Sequence, residues 1–138
     1  MKKNVQVALK NGEQVQLVCK ETDDDGRYKI EAFNSLGENV AYTTFRLKGG
    51  KVCYLSKIEI TNIAYSHQCL GTKMLKYMEC FAREQYCRVV DGRFYPFGDL
   101  GCYTRAFYIK NGYTIDRDGY DIVIYKRIDL INEVEHTF

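Results

Sequence analysis

Between residues 4 and 60, apolar side chains recur at every second position. Val5, Val7 and Leu9 alternate with polar neighbours, Asn11-Gly12 supplies a tight-turn pair, and Val15, Leu17 and Cys19 resume the alternation. This pattern predicts a hairpin over about 4–9 and 14–20. Tyr28, Ile30 and Ala32 predict a strand at 27–34, and residues 39–48 and 52–60 predict two more, joined by polar turns at 34–39 and 48–51. Three successive strands on short turns make an antiparallel meander. The period then changes. From Leu70 the apolar residues fall at 70, 74, 75, 78, 81 and 82, which is helical spacing, and the helix runs to about Tyr86. A strand follows from Arg88 to about Phe94, then a loop at 95–99. A helix at about 101–110 ends at Asn111-Gly112. Residues 113–115 and 120–126 predict two last strands, and 128–138 a tail or frayed helix.

The chain has 138 residues, 46% of them hydrophobic, which suits one domain with a sizeable core. Residues 1–60 carry ten basic and eight acidic side chains, and residues 61–138 carry ten of each. Neither half is a polycation, so composition argues against nucleic acid or an anionic membrane as partner. No apolar run approaches the ~20 residues of a membrane span. The N-terminus lacks the apolar stretch of a signal peptide, and a cytoplasmic location is expected. The acidic run at 23–25 reads as a solvated loop, since calcium loops need ligands at more positions. Cys19, Cys53, Cys69, Cys80, Cys87 and Cys102 form no Cys-x-x-Cys pair, and His67 and His136 are the only histidines. No metal site is expected, and the cysteines read as small, buried, reduced hydrophobes.

Two segments carry candidate chemistry. Residues 58–75 run from a strand into a helix start. Such a junction presents unpaired backbone N–H groups and the positive end of the helix dipole, a combination that binds phosphate. Gly71 lets backbone approach an anion closely. Residues 105–113, Arg-Ala-Phe-Tyr-Ile-Lys-Asn-Gly-Tyr, form a short helix running into a strand, and Tyr108 has a hydroxyl able to donate a proton.

In this order and spacing the two segments resemble the GNAT family of acetyl-coenzyme A-dependent N-acetyltransferases, over about residues 28–127. The family's coenzyme motif, Arg/Gln-x-x-Gly-x-Gly/Ala, falls on Ser66, Cys69 and Gly71, of which Gly71 agrees. Ala-Phe-Tyr-Ile-Lys-Asn-Gly-Tyr is similar to the family's Phe-Tyr-Glu-Lys-Asn-Gly-Phe. The resemblance implies one α+β domain, 1–138, with a mixed, largely antiparallel twisted sheet and helices on both faces. Residues 1–27 show no helical period, so a hairpin is expected where the family usually places two helices, with 28–127 as the core and 128–138 as a tail.

The resemblance further implies that strands 52–60 and 88–94 splay apart and that the pantetheine of acetyl-CoA lies between them. It would bond to backbone around Ile60 and Thr61, with the pyrophosphate on the amides of His67, Gln68, Cys69, Leu70, Gly71 and Thr72. Tyr108 matches the family's proton donor to the coenzyme sulfur. Glu59, on the strand beside the gap, is the candidate base, with pairing to Lys57 or Arg93 as the alternative. The expected reaction is direct acetyl transfer to a primary amine. The alternatives are a GNAT-like domain that holds coenzyme A or a partner without turnover, and a single-strand nucleic-acid binder using the twelve tyrosines. An exposed strand edge and an uncovered apolar sheet face lead us to expect a homodimer, with Tyr28, Tyr42 and Phe45 near the acceptor.

Overall fold

The computed structural model describes residues 3–22, 26–49, 51–94 and 101–129, with only the backbone at residues 3 and 101–104. The acidic run 23–25, the loop 95–99, the side chain of Cys102 and the tail from 130 lie outside the described residues. The strands are β1 (Lys3–Ala8), β2 (Gln14–Glu21), β3 (Arg27–Phe33), β4 (Asn39–Lys48), β5 (Val52–Ile60), β6 (Val89–Phe94), β7 (Thr114–Asp118) and β8 (Asp121–Arg127). The helices are α1 (Leu70–Glu84) and α2 (Gly101–Lys110). All eight strands form one sheet in the order β1-β2-β3-β4-β5-β6-β8-β7. β1 to β5 make an antiparallel meander, β5 and β6 run parallel with α1 as crossover, and β6, β8 and β7 are antiparallel again. The hairpin expected at the N-terminus is β1–β2. Its ladder ends at Ala8↔Gln14, and the turn closes with Leu9 N–H on the Glu13 carbonyl and Gly12 at φ 90°.

α1 buries Leu70, Met74, Leu75, Met78, Phe81 and Ala82, the helically spaced set, and adds Tyr77 and Glu79. Its target is the sheet face bearing Leu17, Ile30, Ala32, Phe45, Cys53 and Val90, all nearly inaccessible. Tyr28 stacks on Phe45 at 5.5 Å between ring centroids, and Phe81 closes on both at 4.9 and 5.8 Å. Tyr28 and Phe45 therefore belong to the core beneath α1. That corrects their expected place beside an acceptor, because strand alternation fixes which residues share a face but not which face a helix covers.

α2 packs on the same face as α1. Tyr108 stacks on Phe94 at 5.8 Å and meets Tyr113 edge-on at 5.5 Å. The Tyr113 hydroxyl donates to Glu79 of α1 at 2.7 Å, and Lys126 of β8 pairs with the same carboxylate at 3.0 Å. A buried glutamate at this position thus has two partners, which a buried charge requires. Both described helices, α1 and α2, lie on this one face of the sheet. The opposite face bears cation-covered tyrosines beside Val18, Val52, Val89 and Val123. Tyr42 lies under Lys29 and Lys57 (4.9 and 5.7 Å), and Tyr54 under Arg46 and Lys48 (5.8 and 5.0 Å). An antiparallel sheet leaves such a face to water without penalty.

Candidate active site

The parallel pairing of β5 with β6 runs from Val52↔Val89 to Leu55↔Gly92 and stops there. Two local features end it. On the β4 side, Thr44 pairs with Lys57 while Phe45 pairs with Leu55, so Ser56 is an extra residue in β5. Such a bulge bends its strand and increases the twist. On the β6 side, Gly92 sits so close to β5 that a Cβ there would lie 2.9 Å from the Leu55 carbonyl oxygen and 3.2 Å from Ile124. The strands touch at this point and diverge beyond it. The sequence signal for the bulge is a change of parity: buried positions 53 and 55 give way to apolar 58 and 60. Gly92 within a strand is the matching signal on β6.

The divergence opens a cavity of about 160 Å³ lined by residues 55–58 of β5, Arg93 and Phe94 of β6, Ile124 of β8 and Tyr108 of α2. Strand alternation assigns its backbone groups. The Thr61 amide donates to the Val40 carbonyl of β4 at 3.0 Å, and the Lys57 carbonyl accepts from the Thr43 hydroxyl at 2.6 Å. Residues 57, 59 and 61 thus turn their backbone towards β4, and Ile58 and Ile60 turn theirs into the gap. Of the two residues expected to offer backbone to a ligand, Thr61 turns its amide to β4 instead, and Ile60 shares the backbone direction of Ile58, which lines the cavity.

Tyr108 is buried (7% exposed) among Phe94, Phe107 and Tyr113. Removal from water pushes its phenol up to about 12, so the proton stays on the oxygen throughout the physiological range. Glu59 does not line the cavity. It lies on the polar face, 44% exposed, 3.4 Å from the Lys57 ammonium. Arg93 is not its partner, since the Arg93 guanidinium bonds Asp118 at 2.8 Å and Asp121 at 3.0 Å. The structure therefore brings Tyr108 and Ile58 to one cavity and leaves Glu59 outside its lining.

Beyond Ile60 the chain makes a 3-10 turn at Ile63–Tyr65, capped by the Asn62 side chain, and enters α1. His67 and Cys69 adopt left-handed backbone, φ 61° and 67°, and Cys69, exposed rather than buried as expected of the cysteines, is the N-cap of α1 without a side-chain bond to it. Cys69 thus occupies a conformation that favours glycine, consistent with the glycine of the motif it replaces. The first bond across the start of α1 runs from Lys73 N–H to the Cys69 carbonyl. The amides of Leu70, Gly71 and Thr72 precede it and have no acceptor within the helix. Gly71 serves helix packing: a Cβ there would stand 3.3 Å from the Phe107 ring. The two motifs are thereby in direct contact. The Gln68 side chain is engaged elsewhere, accepting from the Asn11 amide at 3.1 Å. Asn111, at the end of the second motif, donates to the Phe107 carbonyl at 2.8 Å and closes α2. Among the described residues no three His, Cys, Asp or Glu side chains converge as a metal site, and no helix is long and apolar enough to cross a membrane.

No family model matches the sequence, and no curated protein matches it. Solved structures do match. A putative acyl-CoA N-acyltransferase from Klebsiella pneumoniae is 20% identical, over 75% of this chain and 73% of its own, with a TM-score of 0.67. The GNAT domain of S. lividans PAT is 12% identical, over 90% of this chain and 96% of its own, with a TM-score of 0.77. The PaiA N-acetyltransferase from Thermoplasma acidophilum, solved in complex with coenzyme A, is 17% identical over 74% and 61%, with a TM-score of 0.64. At these identities the likeness is one of fold. With an eight-stranded, largely antiparallel sheet and a helix crossing over between its one parallel pair, this chain has the fold of the GNAT acetyltransferases.

Proposed function

We propose that this protein is an N-acetyltransferase that moves the acetyl group of acetyl-CoA directly to a primary amine. The observation that carries the reading is the gap itself, a strand divergence fixed by Ser56 and Gly92 with a buried, protonated Tyr108 on its wall. The residues present fit the coenzyme. Ile58 and Ile60 offer backbone donors and acceptors to a pantetheine amide chain. The amides at the start of α1 offer an anion site to its pyrophosphate.

When bound, acetyl-CoA supplies the thioester. Tyr108 holds a proton beside the gap and gives a hydrogen bond, then the proton, to the departing sulfur. Both helices cover one sheet face, so the acceptor amine approaches from the other. There Glu59, 3.4 Å from the Lys57 ammonium, takes the amine proton through water. Pairing of two copies remains a proposal that rests on the edge strands β1 and β7, and light scattering at micromolar concentration decides it.

The test is acetyl-CoA consumption against an amine panel, read as free thiol. Amine-dependent thiol release supports the reading, and its absence with every amine, in protein that melts cooperatively, rejects it. The position of Glu59, outside the cavity and paired with Lys57, favours a second reading: a domain that holds coenzyme A or a partner without turnover. Saturable coenzyme binding with no thiol release selects it.

A further inference from the structure

The N-terminal hairpin does more than widen the sheet. Its turn is stiffened by Glu13 N–H on Asn11 Oδ1 at 3.0 Å and Gly12 N–H on the Leu9 carbonyl at 2.9 Å. From this turn three bonds reach the segment that opens α1. The Lys10 amide donates to the Gln68 carbonyl at 3.1 Å, and the Asn11 amide donates to Gln68 Oε1 at 3.1 Å. The Tyr65 hydroxyl donates to Glu13 Oε2 at 2.6 Å, and it accepts from Asn34 Nδ2 at 3.2 Å, which ties in the β3–β4 turn.

The place of these bonds is informative. Gln68 stands between His67 and Cys69, the two left-handed residues of the loop. Neither is glycine, and each holds a conformation that an ordinary residue leaves when it can. A loop of this composition needs an external hold to keep one shape. Gln68 is gripped by main chain on both its carbonyl and its side-chain oxygen, and Tyr65 is gripped by a carboxylate.

We propose that the turn at residues 9–13 is a positioning element of the coenzyme site, with Glu13 and Tyr65 as its positioning residues. It fixes the loop at 61–69 so that the amides of Leu70, Gly71 and Thr72 stand together for the pyrophosphate. This rests on the acetyl-CoA reading given above. The hairpin thus takes over work that the Arg and Gly of the resembled motif do not perform here, since Ser66 and Cys69 stand in their places.

The experiment compares Glu13→Ala, Tyr65→Phe and the double variant in the full-length chain. Calorimetry gives the dissociation constant of acetyl-CoA, steady-state kinetics gives KM and kcat separately, and melting reports the fold. Each single variant is expected to weaken coenzyme binding and raise its KM about five- to tenfold. kcat at saturating coenzyme stays within about twofold, since no reacting atom is touched. The double variant is expected to match Tyr65→Phe, because both substitutions delete the Tyr65–Glu13 bond and Tyr65→Phe removes the Asn34 contact besides. If Glu13→Ala melts early, Tyr65→Phe, which removes only a hydroxyl, carries the test. Wild-type binding with unchanged affinity in both single variants overturns the proposal, as does a fall in kcat with KM unmoved. Absence of binding in the wild type instead removes the acetyl-CoA reading on which it rests.

Discussion

Replacing Tyr108 by Phe deletes one oxygen and keeps the ring stacked on Phe94 and edge-on to Phe107 and Tyr113. Two consequences differ in size and can be separated. The first concerns stability. The phenol rises from its ordinary value of 10 to about 12 on burial. A raised value means that the folded state holds the proton while the unfolded state has lost it, between pH 10 and about 12. The contribution is fully present below pH 10 and fades as pH climbs through that window. Two decades of shift correspond to roughly 2–3 kcal/mol. Tyr108→Phe lacks this titration, so its stability falls less steeply with alkali, while at pH 7 the two proteins differ by about 1 kcal/mol or less. The second consequence concerns turnover. A hydrogen bond to charge developing on sulfur in a dry gap is worth about 3 kcal/mol, or about 10²-fold in kcat. Urea melts at pH 7 and 11 and thiol release at saturating acetyl-CoA measure both. Since the phenol does not titrate below about 11, the wild-type rate shows no alkaline limb from this residue. Near-normal kcat in Tyr108→Phe refutes the proton-donor role and leaves Tyr108 as packing.

Other substitutions probe the frame. Gly92→Ala places a Cβ 2.9 Å from the Leu55 carbonyl oxygen, forces β5 and β6 apart and costs about 1–3 kcal/mol in urea unfolding; full stability would mean that the close contact is not needed. Cys69→Gly relieves left-handed backbone at an exposed N-cap that makes no side-chain bond. It is expected to add about 1 kcal/mol, or about 3 °C in Tm, where a loss would contradict the strained geometry. Lys126→Met strands the buried Glu79 with Tyr113 alone and lowers stability by about 3 kcal/mol in urea unfolding. An equal loss from Lys126→Met in a Glu79→Gln background would show that Glu79 is not the reason.

Much of the fold was legible because burial follows period. The meander shows as alternation at Val15, Leu17 and Cys19 and at Tyr28, Ile30 and Ala32. The helix α1 shows as six apolar residues on one stripe, and all six are buried. The position of Tyr108 on the cavity wall was legible through resemblance, and the rest of the cavity less so for physical reasons. Thr61 looks like a continuation of the gap-lining strand, but the extra residue at Ser56 sets the parity, and that parity turns the Thr61 amide to Val40. The shift from 53 and 55 to 58 and 60 was the available sign. Glu59 follows the same parity out of the cavity. The role of Gln68 depends on residues 57 positions away in the chain, and no local pattern carries such a contact. Which face stays bare was also hidden, since alternation alone does not say that Lys29, Arg46, Lys48 and Lys57 shield Tyr42 and Tyr54 on the side without helices.

Calorimetric titration of acetyl-CoA into the full-length protein, paired with melting at 1 mM coenzyme, tests the central claim most directly. One saturable site of micromolar affinity is expected. With a Kd of about 10 µM, 1 mM ligand stabilises the folded state by about 2.7 kcal/mol, which raises Tm by several degrees. No heat of binding together with an unchanged melting curve at millimolar acetyl-CoA would contradict it, and the gap between β5 and β6 would then need another occupant.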